Sequence, residues 1–206
     1  MTGKFITLEG IDGAGKSSHL TFIGGCIEKL GKDVCTTREP GGTPLGEQLR
    51  TMLLNQKMHD DTETLLMFAS RREQLLETIA PQLKKGVWVV CDRYTDSTYA
   101  YQCGGRGVPE ERVAILEQWV HGELQPDLTF LFDAPIDVAR ERLEKSTTQP
   151  DKFEREQREF FAKVREAYLR RAAQYPTRIK VINSARSLEE IQAELATCID
   201  ALVGAT

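Results

Sequence analysis

The motif that organises this chain reads Gly10-Ile11-Asp12-Gly13-Ala14-Gly15-Lys16-Ser17, and Ser18 follows it. It fits the pattern G-x-x-x-x-G-K-[ST] at every fixed position, between an apolar run and a segment of helical spacing. Glycines let backbone N–H groups turn inward around phosphate oxygens, and the start of a helix adds positive charge. The lysine of such a loop reaches the β- and γ-phosphates, and the adjacent hydroxyl suits Mg²⁺. The motif therefore predicts a nucleoside triphosphate site.

Around this motif, apolar runs of strand type alternate with segments of helical spacing. Strands are predicted at 4–9, 33–37, 87–92, 128–133 and 179–182. Helices are predicted at 16–30, 44–56, 63–84, 109–121, 135–145, 153–175 and 187–203, the last with a capping box of Ser187 and Glu190. Near-continuous Val, Ile, Leu and Phe is typical of parallel strands covered on both faces. The alternation indicates an α/β fold with a doubly wound parallel sheet of five strands.

The composition limits the class of protein. The chain has 206 residues, of which 40% are apolar and 28% charged, with a net charge of −4. These values predict one globular domain over 1–206 and argue against general binding to nucleic acid. No apolar run approaches the roughly 18 residues of a membrane span, and no signal-peptide pattern is present. Five scattered cysteines without C-x-x-C predict reduced thiols and a cytoplasmic location, with neither a disulfide framework nor a zinc site.

Residues at the ends of two predicted strands favour a phosphotransferase over a hydrolase. Asp92 ends an apolar run, which is the usual place for the acid that holds Mg²⁺ through water. A hydrolase commonly has a glutamate next, whereas this chain has Arg93, and Arg38 lies at the end of the second strand. Cations in these places suit a second phosphate group better than they suit activation of water. A GTPase switch would need an N-K-x-D motif, which the sequence lacks.

A pair of residues on one predicted helix suits a planar base. Phe68 and Arg72 are four residues apart, so they share a helix face. A ring beside a guanidinium provides stacking on one side of a base and hydrogen-bond donors for a carbonyl edge. The alternative interpretation is a core phenylalanine next to a solvated arginine.

Taken together, these motifs resemble the thymidylate kinase family. The matching stretches are Phe5–Ser17, Thr37–Thr43 (TREPGGT), Phe68–Arg72, Asp92–Tyr94 (DRY) and Tyr101–Gly107 (YQCGGRG). The resemblance implies the P-loop nucleoside monophosphate kinase fold and transfer of a phosphoryl group from ATP·Mg²⁺ to thymidine 5′-monophosphate (dTMP), a step of dTTP synthesis. Two alternatives stay open. One is another P-loop nucleotide or deoxynucleoside kinase, and the other is an ATP-binding regulatory module without turnover.

The resemblance also implies roles for individual residues. Residues 10–18 and Arg142 would bind ATP, Ser17 and Asp92 would hold Mg²⁺, and Lys16, Asp92 and Arg93 would act in catalysis. Phe68 would stack on thymine, Arg72 would contact O4, and Arg38 and Arg93 would hold the acceptor phosphate. Tyr101 would occupy the space of a ribose 2′-hydroxyl. The full expected set for dTMP is Asp12, Arg38, Pro40, Phe68, Arg72, Arg93, Ser97, Thr98, Tyr101 and Gln102.

The resemblance further implies a mobile lid at 142–155 and a homodimer. No basic residue precedes Lys16 in the loop, so the lid would supply the cation for the transferred phosphoryl group. Residues 140–171 contain ten Lys or Arg against seven Asp or Glu, and the candidate cations are Arg142, Lys145, Lys152 and Arg155. The dimer contact would include helices 44–56 and 63–84. Glu9 is open between a hydrogen bond within the site and a contact with Mg²⁺.

Overall fold

The computed structural model describes residues 3–146 and 150–204. Its strands are β1 (Phe5–Glu9), β2 (Val34–Arg38), β3 (Trp88–Asp92), β4 (Leu128–Asp133) and β5 (Ile179–Asn183). Its helices are α1 (Lys16–Lys29), α2 (Pro44–Asn55), α3 (Asp60–Gln74), α4 (Ala80–Lys84), α5 (Thr95–Thr98), α6 (Glu110–Val120), α7 (Ile136–Ser146), α8 (Arg158–Gln174) and α9 (Leu188–Gly204). Two π-helical segments, Leu75–Ile79 and Tyr99–Gly105, complete the elements. Every predicted strand is present, each within one residue of its expected ends.

The five strands form one parallel sheet in the order β2-β3-β1-β4-β5. β1 is the central strand, and its buried sequence FITLE lies between β3 and β4. The register places Leu8 opposite Asp92, and Asp92 opposite Arg38. The phosphate loop therefore leaves the middle of the sheet at its carboxyl edge, where ligands of doubly wound folds bind. The predicted doubly wound α/β fold is confirmed.

Alternate residues of the central strands enter two separate apolar clusters. Phe5 belongs to one cluster with Ile79, which lies in the π-helical segment after α3. Its neighbour Ile6 belongs to the larger cluster with Ile23 of α1. Because successive strand residues point to opposite faces, these contacts show that the sheet is covered on both sides.

The helix predicted at 63–84 is interrupted by a π-helical segment. The N–H of Ala80 donates to the carbonyl of Leu75, which is five residues earlier. Pro81 follows directly; a proline lacks an N–H, and its ring clashes with the carbonyl four residues before it. Widening the turn ahead of the proline relieves that clash, so α3 continues through the π segment into α4.

Residues 95–105 form a helical region that the sequence patterns did not predict. α5 runs directly into the segment Tyr99–Gly105, which packs closely on α8. A Cβ on Gly104 would lie 2.5 Å from the Cβ of Ala167, and one on Gly105 would lie 2.4 Å from the Phe160 ring. Glycine at both places therefore permits the close approach of α8.

The start of α8 differs from the prediction, whereas the start of α9 agrees with it to within one residue. α8 begins at Arg158 rather than at 153, since residues 150–157 form turns. The capping box of α9 is confirmed, because the N–H of Ser187 donates to Glu190 at 3.0 Å and the N–H of Glu190 donates to the Ser187 hydroxyl at 3.3 Å. Within residues 3–146 and 150–204, no helix is long and apolar enough to cross a membrane.

Candidate active site

The phosphate loop has the backbone that its glycines allow. Gly10, Gly13 and Gly15 have φ values of 137°, 79° and 100°. A Cβ at Gly13 would lie 2.0 Å from the carbonyl oxygen of Ala139, and a Cβ at Gly10 would also strike a backbone carbonyl. Any side chain at these positions would collide with backbone, so the loop requires glycine there.

Lys16 lies across the mouth of this loop. Its ammonium group donates to the carbonyls of Gly10 and Ile11, each at 3.0 Å. Burial and the nearby charge of Arg93 lower the pKa of Lys16 to about 8. Ser17 and Ser18 are exposed in the first turn of α1. The ammonium is therefore held where phosphate oxygens can replace the loop carbonyls.

Arg142 of α7 lies next to the loop at Gly15. Its Nη1 atom lies 3.8 Å from the position that a Cβ of Gly15 would take. Its Nη2 atom donates to the carbonyl of Ser184 at 3.0 Å, in the turn after β5. The side chain therefore borders the loop, and its expected contact with ATP stays a prediction.

Arg93 is the charged group shared by the loop and the cavity beside it. Its Nη2 atom donates to Asp12 at 2.5 Å and to the Tyr101 hydroxyl at 3.1 Å. Its Nη1 atom donates to Ser97 at 3.2 Å and to Tyr168 at 3.1 Å. The φ of Arg93 is 71°, a left-handed conformation that is rare outside glycine and often marks functional sites. The backbone thus holds the guanidinium at one place under strain.

Charge around Arg93 is balanced by Asp12. Burial alone would raise the pKa of Asp12, but the charges of Arg93 and Lys16 outweigh burial and lower it. The Tyr101 hydroxyl also donates to Asp12, at 2.7 Å. The carboxylate therefore occupies the place between two cations that an incoming phosphate would share.

Glu9 supports Arg93 from the end of β1. It is fully buried and accepts hydrogen bonds from the N–H of Tyr94 at 2.8 Å, from Ser97 at 2.6 Å and from Tyr168 at 2.8 Å. Burial and the negative charge of Asp96 raise the pKa of Glu9 to about 7. Since Ser97 and Tyr168 also accept from Arg93, Glu9 is part of the same hydrogen-bonded network.

A cavity opens next to Arg93. The residues that line it are Asp12, Glu39, Pro40, Arg50, Leu54, Met67, Arg71, Arg93, Tyr94, Ser97, Thr98, Tyr101, Gln102, Asp151 and Phe153. Seven of the ten residues expected to hold dTMP are in this set. The three that lie elsewhere are Arg38, Phe68 and Arg72.

The structure brings Met67 and Arg71 to the cavity in place of Phe68 and Arg72. Phe68 is buried in a separate apolar cluster with Tyr99, and Arg72 is exposed and donates to the carbonyl of Val120 at 2.7 Å. Adjacent helix residues are rotated by about 100°, so a shift of one position selects a different face. The cavity is thus lined by the residues one position before the predicted pair, and a methionine stands there in place of the predicted ring.

Arg71 is fixed in the wall of the cavity. Its Nε atom donates to Glu39 at 2.7 Å, its Nη2 atom donates to Thr98 at 3.1 Å, and its guanidinium lies 4.7 Å from the centre of the Phe68 ring. Its Nη1 atom is buried and has no hydrogen-bond partner among the described residues. The free Nη1 atom is therefore a donor available to a ligand, since buried polar groups are normally paired.

Arg38 lies outside the cavity, and Arg50 takes a place in its wall. Arg38 is half exposed and donates through Nη2 to both carboxylate oxygens of Glu47, at 3.0 and 2.9 Å. Arg50 lies on α2 about one helical turn after Glu47, and it donates to the carbonyl of Pro40 at 2.8 Å. Three arginines, Arg50, Arg71 and Arg93, thus line the cavity directly.

Asp92, the expected acid for Mg²⁺, lies where the sequence predicts. It ends β3 next to the phosphate loop, and its charge acts on Lys16. Its Oδ1 atom is buried without a hydrogen-bond partner in the described residues. An unpartnered carboxylate oxygen at this place fits a cation or its bound water.

Residues 150–157 close one side of the cavity. Asp151 and Phe153 line it, and the N–H of Lys152 donates to the carbonyl of Leu54 on α2 at 3.0 Å. The Lys152 ammonium donates to Glu63 of α3 at 2.6 Å. Arg155 is exposed and donates to the carbonyl of Pro150 at 2.8 Å. Of the expected lid, Ser146 ends α7, and residues 147–149 lie outside the described part of the chain.

Eight residues of the cavity wall are not among the residues that the sequence analysis expects to hold dTMP. These are Glu39, Arg50, Leu54, Met67, Arg71, Tyr94, Asp151 and Phe153. One signal was present for α3, because Met67, Arg71 and Gln74 recur at spacings of four and three residues and so share one face. Of these three, Met67 and Arg71 line the cavity, whereas Gln74 is buried and donates to Thr37 and to the carbonyl of Arg38.

Comparisons with known proteins find relatives that match nearly the whole chain. The family model described as thymidylate kinase matches residues 8–195. A thymidylate kinase of Methylobacillus flagellatus is 56% identical over 195 residues, covering 95% of this chain and 96% of the relative. A thymidylate kinase of a Janthinobacterium species is 57% identical over 198 residues, covering 96% and 97%. A crystal structure of thymidylate kinase from Ehrlichia chaffeensis superposes with a TM-score of 0.78 at 30% identity, covering 97% and 99% of the two chains.

Proposed function

The chain belongs to the thymidylate kinase family, and we propose that its phosphate loop holds ATP while the adjoining cavity holds dTMP. The enzyme transfers a phosphoryl group from ATP to dTMP. The observation that carries the placement of the two nucleotides is Arg93, which contacts Asp12 of the loop and also lines the cavity. A cation at that junction lies where two anionic nucleotides would meet.

The thymine base is assigned to the end of the cavity at α3. Arg71 offers its free Nη1 atom to the O4 carbonyl, and Met67 provides an apolar contact for the ring. Gln102 lines the same cavity and provides a second polar contact. Ser97 and Thr98 form the wall next to Arg93 and Arg71, with which they share hydrogen bonds.

The acceptor phosphate is assigned to Arg93 and Arg50. Both line the cavity, and Arg93 can exchange its bond to Asp12 for bonds to phosphate oxygens. Arg38 would join them only by leaving Glu47. We assign to Tyr101, which is hydrogen-bonded to Asp12 and Arg93, the exclusion of a ribose 2′-hydroxyl, and to Asp12 a contact near the 3′-hydroxyl.

Catalysis on this arrangement consists of positioning and charge stabilisation. The acceptor phosphate is already ionised, so its oxygen attacks without a general base, and phosphoryl transfer passes through a loose transition state. Lys16 and Arg142, which both lie at the loop, stabilise the donor phosphates. Among the described residues Arg155 donates to the carbonyl of Pro150 alone, so we assign it as the lid cation for the transferred group, whereas Lys152 is anchored to Glu63.

Mg²⁺ would be held by Ser17 and Asp92. The exposed Ser17 hydroxyl and the unpartnered Oδ1 atom of Asp92 provide the oxygen ligands that this ion prefers. When bound, the ion neutralises charge on the β- and γ-phosphates of ATP.

We propose a homodimer whose contact includes α2 and the helical run that begins with α3, together with α6. Four apolar side chains of α3, the segment after it and α6 are 53–80% exposed, namely Leu65, Leu76, Ile115 and Trp119. Contiguous exposed apolar surface commonly marks a protein–protein contact. Light scattering coupled to gel filtration would measure the assembly, and a monomeric mass at all concentrations would contradict it.

The free thiols of all five cysteines support a reducing location, the cytoplasm.

The assignment of the acceptor is tested by ADP release. ATP·Mg²⁺ is supplied with dTMP, dUMP, CMP, GMP or thymidine in turn. We expect dTMP to be the preferred acceptor. Equal turnover of thymidine would indicate a deoxynucleoside kinase, and ATP binding without ADP release would indicate a regulatory module.

A further inference from the structure

Glu63 of α3 is a buried carboxylate for which the mechanism above has no use. Its side chain is 2% exposed. Its Oε1 atom accepts a hydrogen bond from the Nε2 atom of Gln102 at 2.9 Å, and its Oε2 atom accepts one from Lys152 at 2.6 Å. Arg106 lies 3.5 Å from Oε1. Glu63 thus connects the cavity wall, through Gln102, to the closing segment, through Lys152.

This contact fixes which end of the Gln102 amide faces the cavity. A carboxylate only accepts hydrogen bonds, so the NH₂ group of Gln102 must point toward Glu63. The reversed amide would place its carbonyl oxygen against a carboxylate oxygen and would be repelled. The Gln102 side chain lines the cavity, and its carbonyl oxygen receives no hydrogen bond from residues 3–146 or 150–204. Gln102 therefore presents a hydrogen-bond acceptor, its carbonyl oxygen, to the cavity.

We infer that Glu63 is a positioning residue that sets base specificity by holding Gln102 as an acceptor. The inference rests on the proposed placement of dTMP in this cavity. Beside the donor of Arg71, an acceptor matches the O4 and N3–H edge of thymine or uracil. Cytosine presents an amino group and an unprotonated N3 at that edge, so both contacts oppose it. Sites built around such hydrogen bonds reject the wrong group strongly, because its buried partners stay unpaired.

The test is Glu63→Gln, which replaces a group that only accepts by one that also donates. Gln102 can then turn its amide and present NH₂ to the cavity. We expect the ratio of kcat/KM for dTMP to that for dCMP to fall at least tenfold, with KM for dTMP raised more than kcat is lowered. The matched control is Glu77→Gln, an exposed glutamate of the same helical run, which should leave the ratio unchanged.

Further variants separate specificity from stability. In Glu63→Gln the Lys152 ammonium loses its partner, so Glu63→Gln with Lys152→Met removes both charges and should show the same altered ratio. Lys152→Met alone keeps the acceptor and should keep the wild-type ratio. In a Gln102→Ala background, Glu63→Gln should have no further effect on the ratio, as a double-mutant cycle would show.

The outcomes distinguish this inference from the proposed site. If kcat/KM for both nucleotides fell in parallel in folded Glu63 variants, Glu63 would be structural only and the inference overturned. If the wild-type enzyme showed no preference for dTMP over dCMP, the placement of the base itself would be wrong. A wild-type preference that survived in every Glu63 variant would refute only the role of Glu63.

Discussion

Removing the guanidinium of Arg93 should nearly abolish turnover while the fold is retained. Arg93→Met deletes the charge at the junction of loop and cavity, together with its four hydrogen bonds to Asp12, Tyr101, Ser97 and Tyr168. Loss of one well-aimed charge costs about 3–4 kcal/mol in the barrier, or roughly 10²–10³ in kcat. Arg93→Lys keeps the charge, so its loss in kcat should be smaller than that of Arg93→Met. Some loss remains, because a lysine cannot reach both pairs of hydrogen-bond partners.

The cost in stability follows from the exposure of the ion pair. The Arg93 and Asp12 side chains are 16% and 24% exposed. Breaking a fully buried pair costs about 3–5 kcal/mol and an exposed pair contributes about 0–1 kcal/mol. We therefore expect the free energy of unfolding of Arg93→Met to fall by about 1–3 kcal/mol, an intermediate value. Adding Asp12→Asn should recover part of it by removing the unpaired carboxylate.

Arg93→Gly separates the fold from the function. Its backbone adopts a φ of 71° without the steric cost of about 1–2 kcal/mol that a side chain imposes. Arg93→Gly should therefore unfold at a higher denaturant concentration than Arg93→Met and yet be equally inactive. Initial rates of ADP formation and urea unfolding are measured on all four variants. Near-normal kcat in folded Arg93→Met or Arg93→Gly would refute the reasoning.

Three further predictions follow from the pKa shifts and from the placement of the two arginines. The pKa of Lys16 is about 8, and only its ammonium form attracts phosphate. Calorimetry should therefore show that the Kd for ATP increases as the pH rises from 7 to 9. If Lys16→Met showed the same pH dependence, the titrating group would be a different residue. The pKa of Glu9 is raised from 4.5 to about 7, so its contribution to stability is complete below pH 4.5 and is lost as the pH rises through 7. Glu9→Gln should remove about 2–3 kcal/mol of the fall in unfolding free energy between pH 5 and 7.5, and an unchanged slope would exclude Glu9 as the titrating group. Arg71→Lys keeps a positive charge for Glu39 but loses the free Nη1 donor, so it should raise the KM for dTMP at least tenfold. Arg72→Gln should leave the KM for dTMP within twofold of the wild-type value. The opposite order of effects would assign base recognition to Arg72.

The architecture was predictable because its signals are local and strong. Each buried strand is a short apolar run, and the glycines of residues 10–15 report a loop that no other residue tolerates. The positions of Arg93 and Asp92 could also be predicted from the sequence, because the carboxyl ends of the strands of a parallel sheet meet at one edge.

The rest of the site depends on contacts that spacing does not report. Arg71 and Arg72 are adjacent, and only the packing of α3 determines which one enters the cavity. The helical segment at 99–105 packs closely on α8 through Gly104 and Gly105, and such a long-range contact is not visible in the spacing of residues. Glu63 looks like an ordinary surface glutamate until Gln102 and Lys152 are folded onto it.

The central claim is that Arg93 joins the two nucleotide sites while Arg71 reads the base. A crystal structure with dTMP and the ATP analogue AMPPNP·Mg²⁺ tests it most directly. We expect Arg93 within about 2.7–3.1 Å of an oxygen of the dTMP phosphate, and the Nη1 atom of Arg71 at a similar distance from thymine O4. If Arg93 stayed bound to Asp12 and the dTMP phosphate lay elsewhere, Arg93 would not join the two nucleotide sites.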